Sequence, residues 1–283
     1  MTALPKFTIV TPSYNQGRFI ENTILSVLNQ GYPNVEYFVI DGGSSDGTCS
    51  ILKRYDKHIE YWTSEPDRGQ SHAINKGFAR ATGDLLTWLN SDDRLEPDAL
   101  RIVAEHAARF PDAGAFVGHG QIVDAAGRVV YRKAPADLSF PGLCRWNWGG
   151  DFTQPSCFFR RSAWEIAGPL DEDVHIALDV DLWLRMVTKV PFQPIDALLS
   201  TALMHPEAKT VRSRDEMVVE TIMVVARAGG GQFIRRELIE MVKMARLYEA
   251  GRLKQHALVR PILRFSTALW RRTLGRRERR PGL

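Results

Sequence analysis

The chain has 283 residues, with 37 Lys and Arg against 33 Asp and Glu, a net charge of +4 and 44% apolar residues. This length and composition suit one large globular domain or two small ones, and they exclude a disordered or fibrous chain. No run approaches the ~20 apolar residues of a membrane helix, Met1 to Lys6 lacks a signal-peptide pattern, and Cys49, Cys144 and Cys157 lack C-x-x-C spacing, so packing cysteines in a reducing cytoplasm are expected. The charge is uneven. Residues 252–283 hold ten Arg or Lys against Glu278 alone and carry +9, leaving the remainder at −5. A uniformly basic surface would point to nucleic acid. A basic end on an acidic body does not, and no nucleic-acid partner is expected.

In chain order, apolar runs of strand length alternate with amphipathic helical patterns: strand Phe7 to Val10, helix Gly17 to Asn29, strand Val35 to Ile40, helix Thr48 to Tyr55. Strand Ile59 to Trp62, helix Gln70 to Ala81 closed by Gly83, strand Leu85 to Leu89 and helix Pro97 to Arg109 follow. Such alternation predicts a parallel sheet with helices on both faces. Beyond Phe110 the pattern turns mixed, with a strand Ala115 to Gly118 and a hairpin Gln121 to Lys133 around Asp124-Ala125-Ala126-Gly127. Asp137 to Gln154 reads as a loop carrying Trp146 and Trp148, which either plug a long connection or bind something flat. A strand Cys157 to Arg160 and a short helix Ser162 to Ala167 come next, then helices Asp215 to Ala228 and Gln232 to Ala250 on either side of Gly229-Gly230-Gly231. In the tail, Leu258, Ile262, Phe265 and Leu269 form one helical stripe opposite Arg260, Arg264 and Arg271, a pattern suited to a membrane interface or to docking on the protein body.

Ligands of open α/β sheets sit outside the carboxyl ends of the strands. Polar clusters stand there in Thr11-Pro12-Ser13-Tyr14-Asn15, Asp41 to Gly47, Glu65 to Gln70 and Asn90-Ser91-Asp92-Asp93, and a fifth lies at Asp179-Val180-Asp181. One cluster is ordinary turn chemistry. Four on one sheet edge sum to carboxylates, amides and Arg68, the composition of a nucleotide-plus-metal site. Asp92 and Asp93 offer the oxygen ligands that Mg2+ or Mn2+ takes beside a phosphate; the alternative for Ser91 to Asp93 is capping of the following helix. G-x-G-x-x-G after the first strands and G-x-x-x-x-G-K-[ST] anywhere are both absent, which removes dinucleotide-binding and P-loop readings.

With these residues in order, the chain from Phe7 to Thr210 resembles a family 2 glycosyltransferase. The resemblance rests on T-P-S-Y-N at Thr11 to Asn15, D-G-G-S-S-D-G-T from Asp41, Arg68-Gly69 followed by Ala73, Asn75 and Gly77, N-S-D-D at Asn90 to Asp93, and L-D-V-D-L-W at Leu178 to Trp183. It implies an α/β GT-A fold, a Rossmann-like, mostly parallel sheet flanked by helices, with a helical C-terminal extension. The catalytic domain would span residues 1–210, a nucleotide half to about 110 and an acceptor half after it, with a helical region at 211–283. The resemblance implies a nucleoside-diphosphate sugar donor, UDP favoured, held by Thr11, Pro12, Ser13, Tyr14, Asn15, Asp41 (on the base), Arg68, Asn90, Ser91 and Asp92. It further implies a Mn2+ or Mg2+ ion on Asp92, Asp93 and His205, a base at Asp179, and an acceptor near Gln154, Trp146 and Trp148. For His205 a purely structural place is the alternative.

Two positions depart from the family pattern: Asn90 replaces the first carboxylate of D-x-D, and Leu178 stands where an acidic residue is usual. Q-x-x-R-W and membrane helices of processive members are absent, so transfer of one sugar to a glycan or lipid-linked acceptor is expected. The expected place is the cytoplasm, with the basic tail peripheral on the inner membrane face, and the expected role is cell-surface polysaccharide assembly. The alternative is a non-catalytic nucleotide-sugar or glycan-binding protein of the same fold. A nucleotidyltransferase would open with a Gly-rich basic loop, which Thr11 to Gly17 is not.

Overall fold

The computed structural model describes residues 4–148, 152–235, 238, 239 and 243. The strands are β1 (Phe7–Ser13), β2 (Val35–Asp41), β3 (Tyr61–Ser64), β4 (Leu85–Trp88), β5 (Arg94–Leu95), β6 (Ala115–Val123), β7 (Val129–Lys133), β8 (Cys157–Arg160) and β9 (Phe192–Leu203). They form one sheet in the order β3-β2-β1-β4-β8-β6-β9-β5, with β7 paired to β6. β1 is parallel to both β2 and β4, and β2 to β3. β8 runs antiparallel to β4 and β6, which turns a doubly wound half into a mixed sheet.

The helices are α1 (Ile20–Leu28), α2 (Thr48–Arg54), α3 (Gln70–Phe78), α4 (Ala99–Arg109), α5 (Phe140–Leu143), α6 (Arg161–Ala167), α7 (Leu178–Val187), α8 (Lys209–Arg212) and α9 (Arg214–Arg227). They cover both faces. β1 is buried along its whole length, and its alternate side chains divide between two cores. Ile9 packs with Ile20, Ile24, Leu52 and Val103 from α1, α2 and α4. Val10 packs with Ile74, Trp183 and Val225 from α3, α7 and α9. Burial on both sides is why these strands read as unbroken apolar runs.

The expected alternation is present through α4, with shifted ends. β1 runs on to Ser13, α1 begins at Ile20 rather than Gly17, and β3 lies two residues beyond the expected start. β6 is continuous from Ala115 to Val123. The pattern gave no sign of β5 or of β9, although β9 is the longest strand described. Within the expected loop of residues 137–154 stand α5 and two 3-10 turns. The second C-terminal helix lies largely, and the basic tail wholly, outside the described residues. No helix among the described residues is long and apolar enough to cross a membrane.

α3 approaches β1 through Gly77, where an added Cβ would lie 2.5 Å from Val10 Cγ1. Gly77→Ala therefore overpacks the interface that seats α3, and a loss of about 2 kcal/mol is expected in urea unfolding, with the m-value unchanged.

Candidate active site

Strands β1, β2 and β4 end together: Ser13 is in register with Asp41, and Val10 with Trp88. The turn after β1 is bound to the loop after β2, since Asn15 N donates to Ser44 Oγ at 2.7 Å and Ser45 N donates to Asn15 Oδ1 at 3.0 Å. Asn15 adopts φ +54°, a left-handed conformation that asparagine tolerates better than most residues. Asp41 is fully buried and accepts from Ser44 N, Ser44 Oγ and Ser64 Oγ, so its carboxylate braces the loop that follows it. Thr11 Oγ1 and Tyr37 Oη share a hydrogen bond of 3.0 Å. Pro12 is buried, Tyr14 is exposed, and the buried Ser13 hydroxyl has no partner. Arg68 forms an ion pair with Glu172, Nη2 to Oε2 2.6 Å.

After β4 the chain turns so that the two adjacent carboxylates diverge. Asp92 is half-buried, and its Oδ2 lies 3.0 Å from Nε2 of His205. His205 arrives from the end of β9, is buried, and packs on the Phe19 ring at 4.5 Å. Asp93 turns inward, where its carboxylate accepts from Leu203 N at 3.2 Å and Asn90 Nδ2 at 3.1 Å. Burial, reinforced by the neighbouring Asp92 charge, pushes the Asp93 carboxyl well above the usual range. Ser91 is buried. Asn90 also contacts Gln70 and Gln154.

Across the cleft, Asp179 stands in the first turn of α7. Burial pushes its carboxyl up to about 6; Glu220 adds to this, while the Val180 N–H and the Lys209 charge oppose it. α7 is seated by Glu220 of α9, which accepts from His175 N at 2.9 Å, Ile176 N at 2.5 Å and Ala177 N at 2.7 Å. Those donors would otherwise be orphaned at the helix start, and they hold Glu220 below its ordinary pKa against the cost of burial. Asp181, itself buried, pairs with Arg185 at 2.9 Å, an i,i+4 contact within α7. Lys209 bonds the His175 carbonyl and donates to Gln70 Oε1 at 3.4 Å; burial lowers its pKa.

The structure thus brings Asp92 and His205 together, sets Asp93 behind them, and places Asp179 on a separate helix. Trp146 lies edge-on to Phe152 at 5.0 Å and packs against the core, plugging the loop. Gln154 anchors to the Trp88 carbonyl. Sequence reading had Gln70 only as the end of the Glu65 to Gln70 cluster, and it gave no role to Lys209, Glu172 or Glu220. Lys209 stands four residues after His205 and Gln70 two after Arg68, so proximity to those residues was the available signal; Glu220 had none.

One carboxylate–imidazole corner at a strand end, together with a carboxylate of raised pKa at a helix start, within a sheet of this order, is the frame of an α/β group-transfer enzyme. The chain belongs to glycosyl transferase family 2, whose model matches residues 8–166, and it is a glycosyltransferase. An uncharacterized glycosyltransferase of Mycobacterium tuberculosis is 33% identical over 192 residues, which cover 65% of this chain and 70% of that protein. Chondroitin synthase of Escherichia coli is 24% identical over 220 residues, 75% of this chain but 31% of the relative. The structure of mannosyltransferase PcManGT from Pyrobaculum calidifontis in complex with GDP-Man and Mn2+ matches with TM-score 0.63 at 20% identity, over 95% of this chain and 84% of that one. S. aureus TarS 1-349 in complex with UDP-GlcNAc matches with TM-score 0.60 at 16% identity, over 78% and 66%. These likenesses establish the GT-A fold.

Because folding raises the Asp179 pKa, its contribution to stability is full below the unfolded value of 3.8 and is lost as pH rises through about 6. Asp179→Asn, neutral throughout, is therefore expected to gain on the order of 2 kcal/mol over the native protein at pH 8 and nothing at pH 4, read from paired urea midpoints.

Proposed function

We propose that the protein is a metal-dependent inverting glycosyltransferase that moves one sugar from a nucleoside-diphosphate donor, UDP favoured, to a glycan or lipid-linked acceptor in cell-surface polysaccharide assembly. The observation that carries this reading is the pairing of Asp92 with His205 on one side of the β4 strand end and the raised carboxyl of Asp179 on the other. The relatives are consistent with it: chondroitin synthase makes a polysaccharide by its name, and the matched structures hold GDP-Man or UDP-GlcNAc.

The residues fit a divalent cation. Asp92 Oδ2 and His205 Nε2 already converge at 3.0 Å, and one carboxylate with one imidazole suits Mn2+, or Mg2+ with substrate phosphates completing the shell. Among the described residues no three His, Cys, Asp or Glu groups form a closed cage. A cation held by Asp92 and His205 would neutralise the charge that develops on the leaving diphosphate. Asp93, held inward by Leu203 and Asn90, backs this corner rather than sharing it.

Asp179 takes the proton of the acceptor hydroxyl as its oxygen bonds to the anomeric carbon and the bond from that carbon to the diphosphate oxygen breaks. A base with pKa near 6 is ionised at neutral pH yet keeps driving force for proton transfer. The nucleotide lies over the ends of β1 and β2, against Thr11 to Asn15 and beside Asp41 and Arg68. Arg68 must leave Glu172 to reach a phosphate, and their exposed pairing is weak enough to exchange. Gln154 and Trp148 belong to the acceptor side, and Trp146 acts there by fixing their loop. The catalytic domain is taken as residues 1–210, and the basic tail as a contact with the cytoplasmic membrane face.

Asp179→Asn is expected to abolish transfer while leaving nucleotide affinity within about twofold of native; joint loss of both would assign Asp179 a structural place instead. Transfer should stop in EDTA, return with Mn2+ or Mg2+, and fall with pH through about 6 in kcat/KM. Full activity in chelator would overturn the metal assignment, and binding of donor without any hydrolysis or transfer would favour the non-catalytic alternative.

A further inference from the structure

Asn90 occupies the position at which the family pattern has its first carboxylate, and its surroundings are built for an amide. Four hydrogen bonds run in one direction across the cleft floor. Lys209 Nζ donates to Gln70 Oε1 at 3.4 Å, and Gln70 Nε2 donates to Asn90 Oδ1 at 2.8 Å. Asn90 Nδ2 donates to Gln154 Oε1 at 3.3 Å, and Gln154 Nε2 donates to the Trp88 carbonyl at 2.9 Å.

The direction is fixed at both ends. An ammonium only donates and a carbonyl only accepts. Gln154 must therefore turn its nitrogen to Trp88 and its oxygen to Asn90, which requires nitrogen from Asn90. Gln70 must turn its oxygen to Lys209 and its nitrogen to Asn90, which requires oxygen from Asn90. Position 90 is asked to donate on one side and accept on the other. Its second N–H goes to Asp93 Oδ2 at 3.1 Å, so both amide hydrogens are used. A carboxylate satisfies only the Gln70 link. Toward Gln154 it would set oxygen against oxygen, leaving a partly buried acceptor unpaired.

We propose that Asn90 is a positioning residue and not a metal ligand: it orients Gln70 toward the donor sugar and Gln154 toward the acceptor side, each with one remaining side-chain N–H to present. This rests on the glycosyltransferase reading above. The relay begins at Lys209, whose charge acts on Asp179, and reaches Asn90, two residues before Asp92; a sugar whose diphosphate met Asp92 and whose acceptor met Asp179 would lie along it. Two oriented N–H donors recognise sugar hydroxyl or carbonyl oxygens, and bonded chains of amides hold such orientation cooperatively.

The test uses the full chain and three variants: Asn90→Asp, Asn90→Ala and Gln154→Ala, with the Asn90→Ala/Gln154→Ala double. Mn2+ binding is read by electron paramagnetic resonance with UDP or GDP present, independently of turnover. The expected result is Mn2+ affinity within about twofold of native for every variant, with kcat reduced about tenfold or more in each single substitution. The double variant should be no worse than the worse single, because either change breaks the same chain. Tighter Mn2+ binding by Asn90→Asp, about tenfold loss of Mn2+ affinity in Asn90→Ala, or multiplicative effects in the double would overturn the proposal. Asn90→Ala carries the metal arm if Asn90→Asp does not fold. A native protein that transfers no sugar sinks the glycosyltransferase reading instead, and the Mn2+ arm still reports on Asn90.

Discussion

The two sides of the cleft are tied together by one aromatic contact. Trp88, the last residue of β4, stacks on Trp183 of α7 with centroids 5.3 Å apart and planes 16° from parallel, and both rings are buried. β4 delivers Asp92 four residues beyond Trp88, and α7 delivers Asp179 one turn before Trp183. The stack therefore joins the strand that leads to Asp92 to the helix that carries Asp179, in a close-packed interior where displacements of a fraction of an ångström are resisted. Trp88 contributes twice, because its carbonyl also anchors Gln154. Phe78, Phe159 and Phe152 surround the pair and leave it little freedom.

The polar groups are distributed so that each carboxylate has a separate task. Adjacent Asp92 and Asp93 would repel if both faced the cleft. The turn after β4 sends one outward to His205 and the other inward to a backbone N–H of β9 and to Asn90. Glu220 spends its charge on the amides before α7, and Asp181 spends its on Arg185. Asp179 has the N–H groups of Val180 and of its own residue and the charge of Lys209, which do not offset its burial. A carboxylate left under-supported in this way holds its proton more tightly, which is what a base working near neutral pH requires.

Much of the donor half was legible in the sequence, because strands buried on both faces read as apolar runs, and the polar residues ending them can only meet at the sheet edge. β9 was not legible. Its residues Phe192 to Leu203 include Pro194 and exposed Asp196, and its burial is irregular, so neither continuous nor alternating apolarity marks it. β5 is two residues long and exists through pairing with β9. Motif order located Asp92, Asp179 and His205, whereas Gln70, Lys209 and Glu220 take their places through contacts across 20 to 139 positions that no local pattern encodes. Asn90 could be seen as a departure in the sequence; what the amide does is visible only in its neighbours.

The family match ends at residue 166, before Asp179 and before the α9 glutamate that seats it. The strands proposed to hold the nucleotide lie inside that segment; the helix proposed to receive the acceptor lies outside it and hangs on α9. On the proposed reading, donor and acceptor are received by different lengths of chain, joined by the indole stack and by contacts such as Arg68–Glu172 and Asn75–Leu170. A truncation ahead of α9 that kept every matched residue would still remove the glutamate that seats Asp179's helix.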